Sequence, residues 1–258
     1  MSLEPYLRAR RDAGRKLLVP YVTGGLDDEW LDVVRAVAAA GADAVEVGIP
    51  FSDPVMDGPV IQEASARALS RGATPGGLVA ALAKAEVDVP LVVMTYYNLV
   101  FRSGHRRFAH SLAEAGVAGA ILPDLPLEES GDWARAADVA GVDTILLAAP
   151  TTPDARLRLI CSRSRGWVYG VGLMGVTGER SALAASAALM GRRLKALTDQ
   201  PVLIGVGIST PEQAVEATDA ADGVVIGSAL VHRLLDGAGP DGAADLVSEF
   251  RAALDRGV

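Results

Sequence analysis

Two carboxylic acids separated by a short loop are the residues of this sequence best suited to acid–base chemistry. Glu46 lies within an apolar run, Asp43-Ala-Val-Glu-Val-Gly-Ile49, where an unpaired carboxylate is costly. Asp57 follows in a loop punctuated by proline and glycine. One acid fixed at a strand end and one carried by a loop can work as a general acid and base. The alternative is that both acids are solvated or cap helices.

Two glycine-containing segments suggest where an anion could bind, and a third suggests a mobile loop. Gly205-Val-Gly-Ile-Ser209 and Gly227-Ser228 each follow an apolar run, and Gly227-Ser228 opens a helix-like segment. Glycines let the backbone approach an anion, and a helix N-terminus offers free N–H groups. Gly205, Gly207, Gly227 and Ser228 are therefore predicted to bind phosphate, unless they only end strands and cap the helix. Thr177 and Gly178, in a third glycine-rich segment, predict a loop that closes over ligand rather than an ordinary flexible loop.

Eight short apolar runs alternate with alanine-rich helical patterns from end to end. In three places a glycine follows a helical pattern and precedes an apolar run, as expected for a helix end followed by a buried parallel strand. An unbroken βα series favours one (β/α)₈ (TIM) barrel over residues 1–258, with an N-terminal helical extension; a doubly wound sheet is the alternative. The predicted strands are Leu17–Val22, Ala44–Val47, Leu91–Thr95, Gly119–Leu122, Thr144–Ala148, Trp167–Val171, Val202–Gly205 and Gly223–Ile226. The predicted helices between and beside them are Glu29–Ala40, Ile61–Ser70, Pro75–Ala85, Gly104–Ala115, Ser130–Ala140, Asp154–Ser162, Ala182–Leu197 and Pro211–Thr218.

In a barrel, function lies at the C-terminal ends of the strands, and the loops after strands seven and eight commonly bind phosphate. If Val45 and Val47 face the outer helices, Glu46 faces the interior, because strand side chains alternate. The side chains at or near the other strand ends would then line a pocket suited to a flat apolar ring, although most could equally be core residues that fill the barrel. These candidates are Tyr21, Met94, Tyr96, Ile121, Ala148 and Tyr169.

Composition excludes several classes of function. The net charge of −8 disfavours nucleic-acid binding, which needs a basic surface. Cys161 is the only cysteine, so no intrachain disulfide forms, and the three histidines are not spaced as metal ligands. The charged segment Met1–Lys16 does not resemble a signal peptide, and no apolar run is long enough to span a membrane. A cytoplasmic location without membrane contact is expected.

The segment E-V-G-I-P-F-S-D-P-V-M-D-G-P over residues 46–59 resembles the E-x-G-x-P-[FY]-S-D-P-x-x-D-G-P signature of the α subunit family of tryptophan synthase. Six further segments follow in the family's order, so the resemblance covers nearly the whole chain. They are Val19–Thr23, Met94–Asn98, Pro123–Pro126, Gly175–Gly178, Gly205–Ser209 and Gly227-Ser228.

The resemblance implies retro-aldol cleavage of indole-3-glycerol phosphate to indole and glyceraldehyde 3-phosphate. Glu46 would protonate C3 of the indole, and burial should raise its pKa toward neutrality. Asp57 would stabilise the positive charge on the ring nitrogen and later accept the N–H proton, and Thr177 would help to order Asp57. No metal or organic cofactor is implied for this chain.

The resemblance also implies a partner, a β subunit that carries pyridoxal phosphate, in an assembly of two αβ pairs. Pro50, Phe51 and Asp53 match residues of the family's β-contacting surface. A ligand that binds the closed-loop state more tightly than the open state would increase the population of the closed state, and this shift would couple the two subunits.

Three segments depart from the usual family pattern: Gly24-Gly25-Leu26, Met56 beside Asp57, and Gly172-Leu173-Met174. None of them changes the two acids. The alternatives are a stand-alone lyase that releases free indole, a non-catalytic activator of a β subunit, and another phosphate-binding barrel enzyme, such as an isomerase of histidine or tryptophan synthesis.

Overall fold

The computed structural model describes residues 2–172, 180–205 and 207–257, with the side chains of the second range described from residue 186 onwards. Eight strands, β1 to β8, form a closed barrel in which each strand pairs in parallel with the next and β8 pairs with β1. The predicted (β/α)₈ barrel is therefore confirmed. The strands are β1 Leu17–Thr23, β2 Val45–Gly48, β3 Leu91–Met94, β4 Val117–Ile121, β5 Asp143–Ala148, β6 Val168–Val171, β7 Val202–Gly205 and β8 Gly223–Ile226.

The helices surround the barrel, and most match the predicted segments to within a few residues. Gly41, Gly116 and Gly141 all have positive φ after helix ends, as the sequence pattern predicts. The helices are α1 Leu3–Asp12, α2 Trp30–Ala39, α3 Pro59–Ser70, α4 Pro75–Leu82, α5 Tyr97–Ser103, α6 His105–Glu114, α7 Gly131–Ala140, α8 Asp154–Arg163, α9 Arg180–Lys195, α10 Pro211–Thr218, α11 Ser228–Leu235 and α12 Gly239–Arg256.

The barrel interior is filled by alternate strand residues, and the N-terminal helix α1 closes one end of it. Leu3 and Leu7 of α1 are buried in the same cluster as the inward residues of the strands. Gly119 leaves room for Leu3, because a Cβ there would lie 2.7 Å from Leu3 Cδ2. The predicted N-terminal helical extension is thus the floor of the barrel. The cluster's strand residues include Leu17, Val19, Ala44, Val92, Ile145, Trp167, Leu203 and Val225.

A buried ionic cluster joins the two ends of the chain to the barrel. The fully buried Asp43 precedes β2, and its carboxylate accepts from Arg15 Nε at 2.6 Å, from Leu18 N at 2.9 Å and from Arg251 Nη1 at 3.3 Å. Arg251, on α12, also donates to Lys16 O at 2.7 Å. These bonds hold α12 against the segment that leads into β1, on the face opposite the strand C-termini.

Candidate active site

Glu46 faces the interior at the C-terminal end of β2. Its side chain lines a cavity of about 680 Å³, while Val45 and Val47 pack in the layer between barrel and helices. Glu46 is 1% exposed, and its Oε2 has no hydrogen-bond partner among the described residues. Burial, and then the nearby Asp57, raise its pKa to about 8. At neutral pH this group is a protonated acid in the wall of the cavity.

Asp57 lines the same cavity from the loop between β2 and α3. Tyr96 donates its hydroxyl hydrogen to Asp57 Oδ2 at 3.2 Å, and Met56 N donates to the Tyr96 oxygen at 2.9 Å. The Phe51 ring stacks on Tyr96 with ring centres 5.0 Å apart. Burial raises the pKa of Asp57 to about 6, against the opposing effect of the Tyr96 hydrogen bond. Asp57 is therefore the more acidic member of the pair.

Two tyrosines project into the barrel beside Glu46, and two glycines make space for their rings. A Cβ on Gly48 would lie 1.9 Å from the Tyr21 hydroxyl, and one on Gly205 would lie 2.2 Å from the Tyr169 hydroxyl. Burial raises the pKa of both phenols well above the usual range, so they stay neutral. Both rings line the cavity, which gives a flat apolar group two aromatic neighbours.

The end of the cavity formed by the loops after β7 and β8 is suited to an anion. Gly207, with φ of +86°, and Gly227 and Ser228 at the start of α11 line it. The N-terminus of α10 is already closed by a capping box, in which Thr210 and Gln213 bond each other's backbone. The N-terminus of α11 has no side-chain cap in the described part of the chain, so its N–H groups and dipole are available to an anion.

The structure brings most of the predicted site residues together. Those that line the cavity are Glu46, Asp57, Tyr21, Met94, Ile121, Tyr169, Gly207, Gly227 and Ser228. Tyr96 instead contacts the cavity through Asp57, and Gly205 packs against the Tyr169 ring instead of lining the cavity. Thr177 and Gly178 lie outside the described residues.

The three residues predicted to contact a partner differ in exposure. Pro50 is buried within this chain, Phe51 is half-buried against Tyr96, and Asp53 is exposed. Beside them Val55 is 80% exposed and Met56 49% exposed. Ser52, Asp53, Val55 and Met56 are thus exposed in the loop that carries Asp57, with Pro54 half-buried between them.

Sequence reasoning missed one wall of the cavity, which comes from the loops after β4 and β5. Their positions directly after strand ends were the available signal, because such loops form the functional face of a barrel. Arg156, on α8, bonds Glu128 at 2.6 Å and so joins the two loops at this wall. The missed lining residues include Leu125, Leu127, Ala149, Thr152, Arg156 and Ile160.

Over residues 2–172, 180–205 and 207–257, no group of three or more histidine, cysteine, aspartate or glutamate side chains could hold a metal ion. In the same ranges no helix is long and apolar enough to cross a bilayer. The fold and site define a (β/α)₈-barrel enzyme with two carboxyl groups of raised pKa, an apolar ring cavity and an anion-binding helix end.

Comparison with known proteins gives the family. The model of the tryptophan synthase alpha chain matches residues 7–253, and the chain belongs to this family. The tryptophan synthase alpha chain of Thermobifida fusca is 44% identical over 251 residues, which cover 95% of this chain and 93% of the relative. That of Streptomyces coelicolor is 45% identical over 262 residues, which cover 99% and 96%.

Solved structures agree with this family. Tryptophan synthase subunit alpha from Legionella pneumophila superposes with a TM-score of 0.88 at 31% identity, with 99% of each chain covered. A tryptophan synthase chain from Mycobacterium tuberculosis gives a TM-score of 0.89 at 38% identity, with 98% of this chain and 97% of that chain covered. The protein is a lyase of tryptophan biosynthesis, which cleaves indole-3-glycerol phosphate to indole and glyceraldehyde 3-phosphate.

Proposed function

We propose that Glu46 and Asp57 carry out this cleavage as an acid and an electrostatic partner. The observation that carries the proposal is that both carboxyl groups line one cavity with pKa values raised to about 8 and about 6. Near neutral pH Glu46 is protonated and Asp57 is ionised, so Glu46 can donate a proton while Asp57 supplies a negative charge. Glu46 Oε2 has no hydrogen-bond partner among the described residues, so no neighbouring group of those residues holds the Glu46 proton.

In the proposed reaction, Glu46 donates its proton to C3 of the indole ring, which places positive charge on the ring nitrogen. The Asp57 carboxylate accepts a hydrogen bond from the ring N–H and stabilises that charge in a site largely shielded from water. The bond between C3 and the side-chain carbon then breaks, and its electrons return to the ring. Glu46, now ionised, takes the proton of the side-chain hydroxyl as that carbon becomes the aldehyde, and so returns to its starting state.

Substrate binding in this proposal uses the two ends of the cavity. The indole ring would lie among Tyr21, Met94, Ile121 and Tyr169, which supply apolar and aromatic surface. The phosphate would bind the free N–H groups at the start of α11, with Gly207 and Ser228 beside it. No cofactor is proposed for this chain.

We further propose a β subunit that carries pyridoxal phosphate as the partner, in an assembly of two αβ pairs in the cytoplasm. The support is the likeness to tryptophan synthase from Mycobacterium tuberculosis and the exposed loop from Asp53 to Met56 next to Asp57. Phe51 and Asp53 would contact the partner, with Pro50 supporting the loop from beneath.

The test is release of indole and glyceraldehyde 3-phosphate from indole-3-glycerol phosphate by the purified chain, with and without a β subunit. We expect cleavage that the β subunit accelerates, and none by the Glu46→Gln variant. Near-normal turnover in that variant would remove Glu46 from the mechanism. High activity that a β subunit leaves unchanged would favour a stand-alone lyase and contradict the proposed assembly.

A further inference from the structure

A single arginine on α9 bonds the loop that forms one wall of the substrate cavity. Arg193 Nη1 donates to Pro150 O at 2.8 Å, and its Nη2 donates to Thr152 O at 2.8 Å and to Asp154 Oδ1 at 2.7 Å. The three acceptors span the connection between β5 and α8. The guanidinium group thus bonds two backbone carbonyls of a loop that is not adjacent to α9 in the sequence.

Two hydrogen bonds within the loop add to those from Arg193. Ala149 N donates to Thr152 Oγ1 at 3.2 Å, and Thr152 N donates to Ala149 O at 2.9 Å, which closes a tight turn. Both residues line the cavity. Because Arg193 bonds the carbonyls of Pro150 and Thr152, it links this turn, which carries Ala149 and Thr152, to α9.

We propose that Arg193 is a positioning residue for indole-3-glycerol phosphate, which acts by holding this loop as a preformed wall of the cavity. The inference rests on the proposed use of the cavity by the substrate. A wall that touches bound substrate before and during the reaction contributes equally to both states, so its loss raises KM and leaves kcat largely unchanged. A guanidinium group is needed, because its Nη1 and Nη2 bond the two carbonyls from fixed positions in one plane, which a single ammonium group cannot do.

The chain offers matched controls. Arg192 is the exposed neighbour on the same helix, and its side chain makes no hydrogen bond among the described residues, so Arg192→Met removes a charge without touching the loop. Asp154→Asn weakens only the ion pair, whose carboxylate is 71% exposed, and keeps both carbonyl bonds. Arg193→Lys retains the charge and part of the bonding.

The experiment measures kcat and KM for indole-3-glycerol phosphate in these variants, with the melting temperature of each. We expect Arg193→Met to raise KM about tenfold with kcat changed less than about threefold. Arg193→Lys should fall between it and the wild type, and Arg192→Met and Asp154→Asn should stay within about twofold. A KM within twofold of the wild type in Arg193→Met, or an equal rise in Asp154→Asn, would overturn the assignment.

A second readout separates this inference from the proposed function. Calorimetric binding of 3-indolylpropyl phosphate, which lacks the hydroxyl groups needed for cleavage, does not depend on turnover. We expect about tenfold weaker binding in Arg193→Met and unchanged binding in Arg192→Met. If the wild type binds the analogue but releases no indole, the catalytic proposal fails while the test of Arg193 still gives an answer. Should Arg193→Met fail to fold, Arg193→Lys provides the comparison, and wild-type affinity in that variant would count against the proposal.

Discussion

Tyr96 donates a hydrogen bond to Asp57 Oδ2 across 3.2 Å while its own oxygen accepts Met56 N–H at 2.9 Å. The phenol therefore joins the end of β3 to both backbone and side chain of the loop that carries Asp57. A hydrogen bond to a carboxylate favours the ionised form, which opposes the effect of burial on the pKa of Asp57. Tyr96 both places the carboxylate and keeps it charged.

Removing the Tyr96 hydroxyl should shift the acidic limb of the pH–rate profile. Without the hydrogen bond the pKa of Asp57 rises above about 6, so Tyr96→Phe loses the ionised carboxylate at a higher pH than the wild type. We expect kcat/KM to fall about tenfold at pH 6 and to recover partly at pH 8, as measured from profiles of indole release. Tyr97→Phe is the control, because its hydroxyl contacts His105 instead. An unshifted acidic limb in Tyr96→Phe would show that the bond does not tune Asp57.

Glu46→Gln should nearly abolish cleavage while leaving binding intact. The amide keeps the size of the side chain but cannot donate a proton to carbon and then take one from a hydroxyl, so kcat should fall by about 10³. Binding of 3-indolylpropyl phosphate should change less than about threefold. Glu63→Gln, an exposed acid on α3, is the matched control and should retain full activity. A loss of analogue binding equal to the loss of turnover would assign Glu46 to binding instead of chemistry.

The same buried acid should make stability depend on pH. The folded-state pKa of Glu46, about 8, is above its ordinary value of 4.5, so the folded state holds a proton that the unfolded state loses first. Stability is therefore lost as pH rises from about 4.5 to about 8, by at most about 5 kcal/mol, at about 1.4 kcal/mol per pKa unit. Glu46→Gln should lack this loss, so its advantage over the wild type in free energy of unfolding should grow from pH 5 to pH 9. If the free energy of unfolding, measured by urea titration, changed equally with pH in the variant and the wild type between pH 5 and pH 9, the raised pKa would be contradicted.

The barrel could be predicted from the sequence because the patterns that mark its helix ends and strands lie within short segments. Gly41, Gly116 and Gly141 mark helix ends by their positive φ, and period-two alternation places Glu46 inward. Helix α5 was missed because it begins soon after the apolar run of β3 and its N-cap residue, Tyr96, makes no side-chain cap; the first N–H of the helix, Tyr97 N, instead donates to Asp124 Oδ1 at 2.8 Å, from a loop that is distant in sequence.

The contacts that shape the site depend on register and loop path, which the sequence does not encode locally. Gly205 was predicted to meet phosphate, but β6 and β7 pair so that Val171 lies beside Gly205 and the Tyr169 ring fills the space in front of it. The bond between Tyr96 and Asp57 joins residues from different strand ends, and the bonds from Arg193 reach across an intervening strand. Such contacts join residues that are distant in sequence, so they cannot be predicted until the three-dimensional path of the loops is known.

The ionic cluster at the opposite face should contribute stability without affecting catalysis. Arg251→Met leaves the fully buried Asp43 with fewer partners, and breaking a buried pair typically costs about 3–5 kcal/mol. We expect a loss of that size in urea unfolding, with KM unchanged. Arg233→Met breaks an exposed pair with Glu249 at 3.5 Å and should cost less than about 1 kcal/mol. A comparable small loss in both variants would show that the buried cluster is dispensable.

Gly227 offers the cleanest test of the phosphate site. Its φ of −114° is negative, so the position does not require the left-handed conformation that favours glycine, and a Cβ there would meet only Tyr21, at 3.7 Å. Gly227→Val places two methyl groups at the uncapped start of α11, where they obstruct the N–H groups proposed to bind phosphate. We expect KM for indole-3-glycerol phosphate to rise at least about tenfold with little change in melting temperature, and inhibition by inorganic phosphate to weaken in parallel. Gly207→Val should act in the same direction but with lower stability, because its φ of +86° strains a β-branched residue. If Gly227→Val kept wild-type KM and phosphate inhibition, the anion would have to bind elsewhere in the cavity.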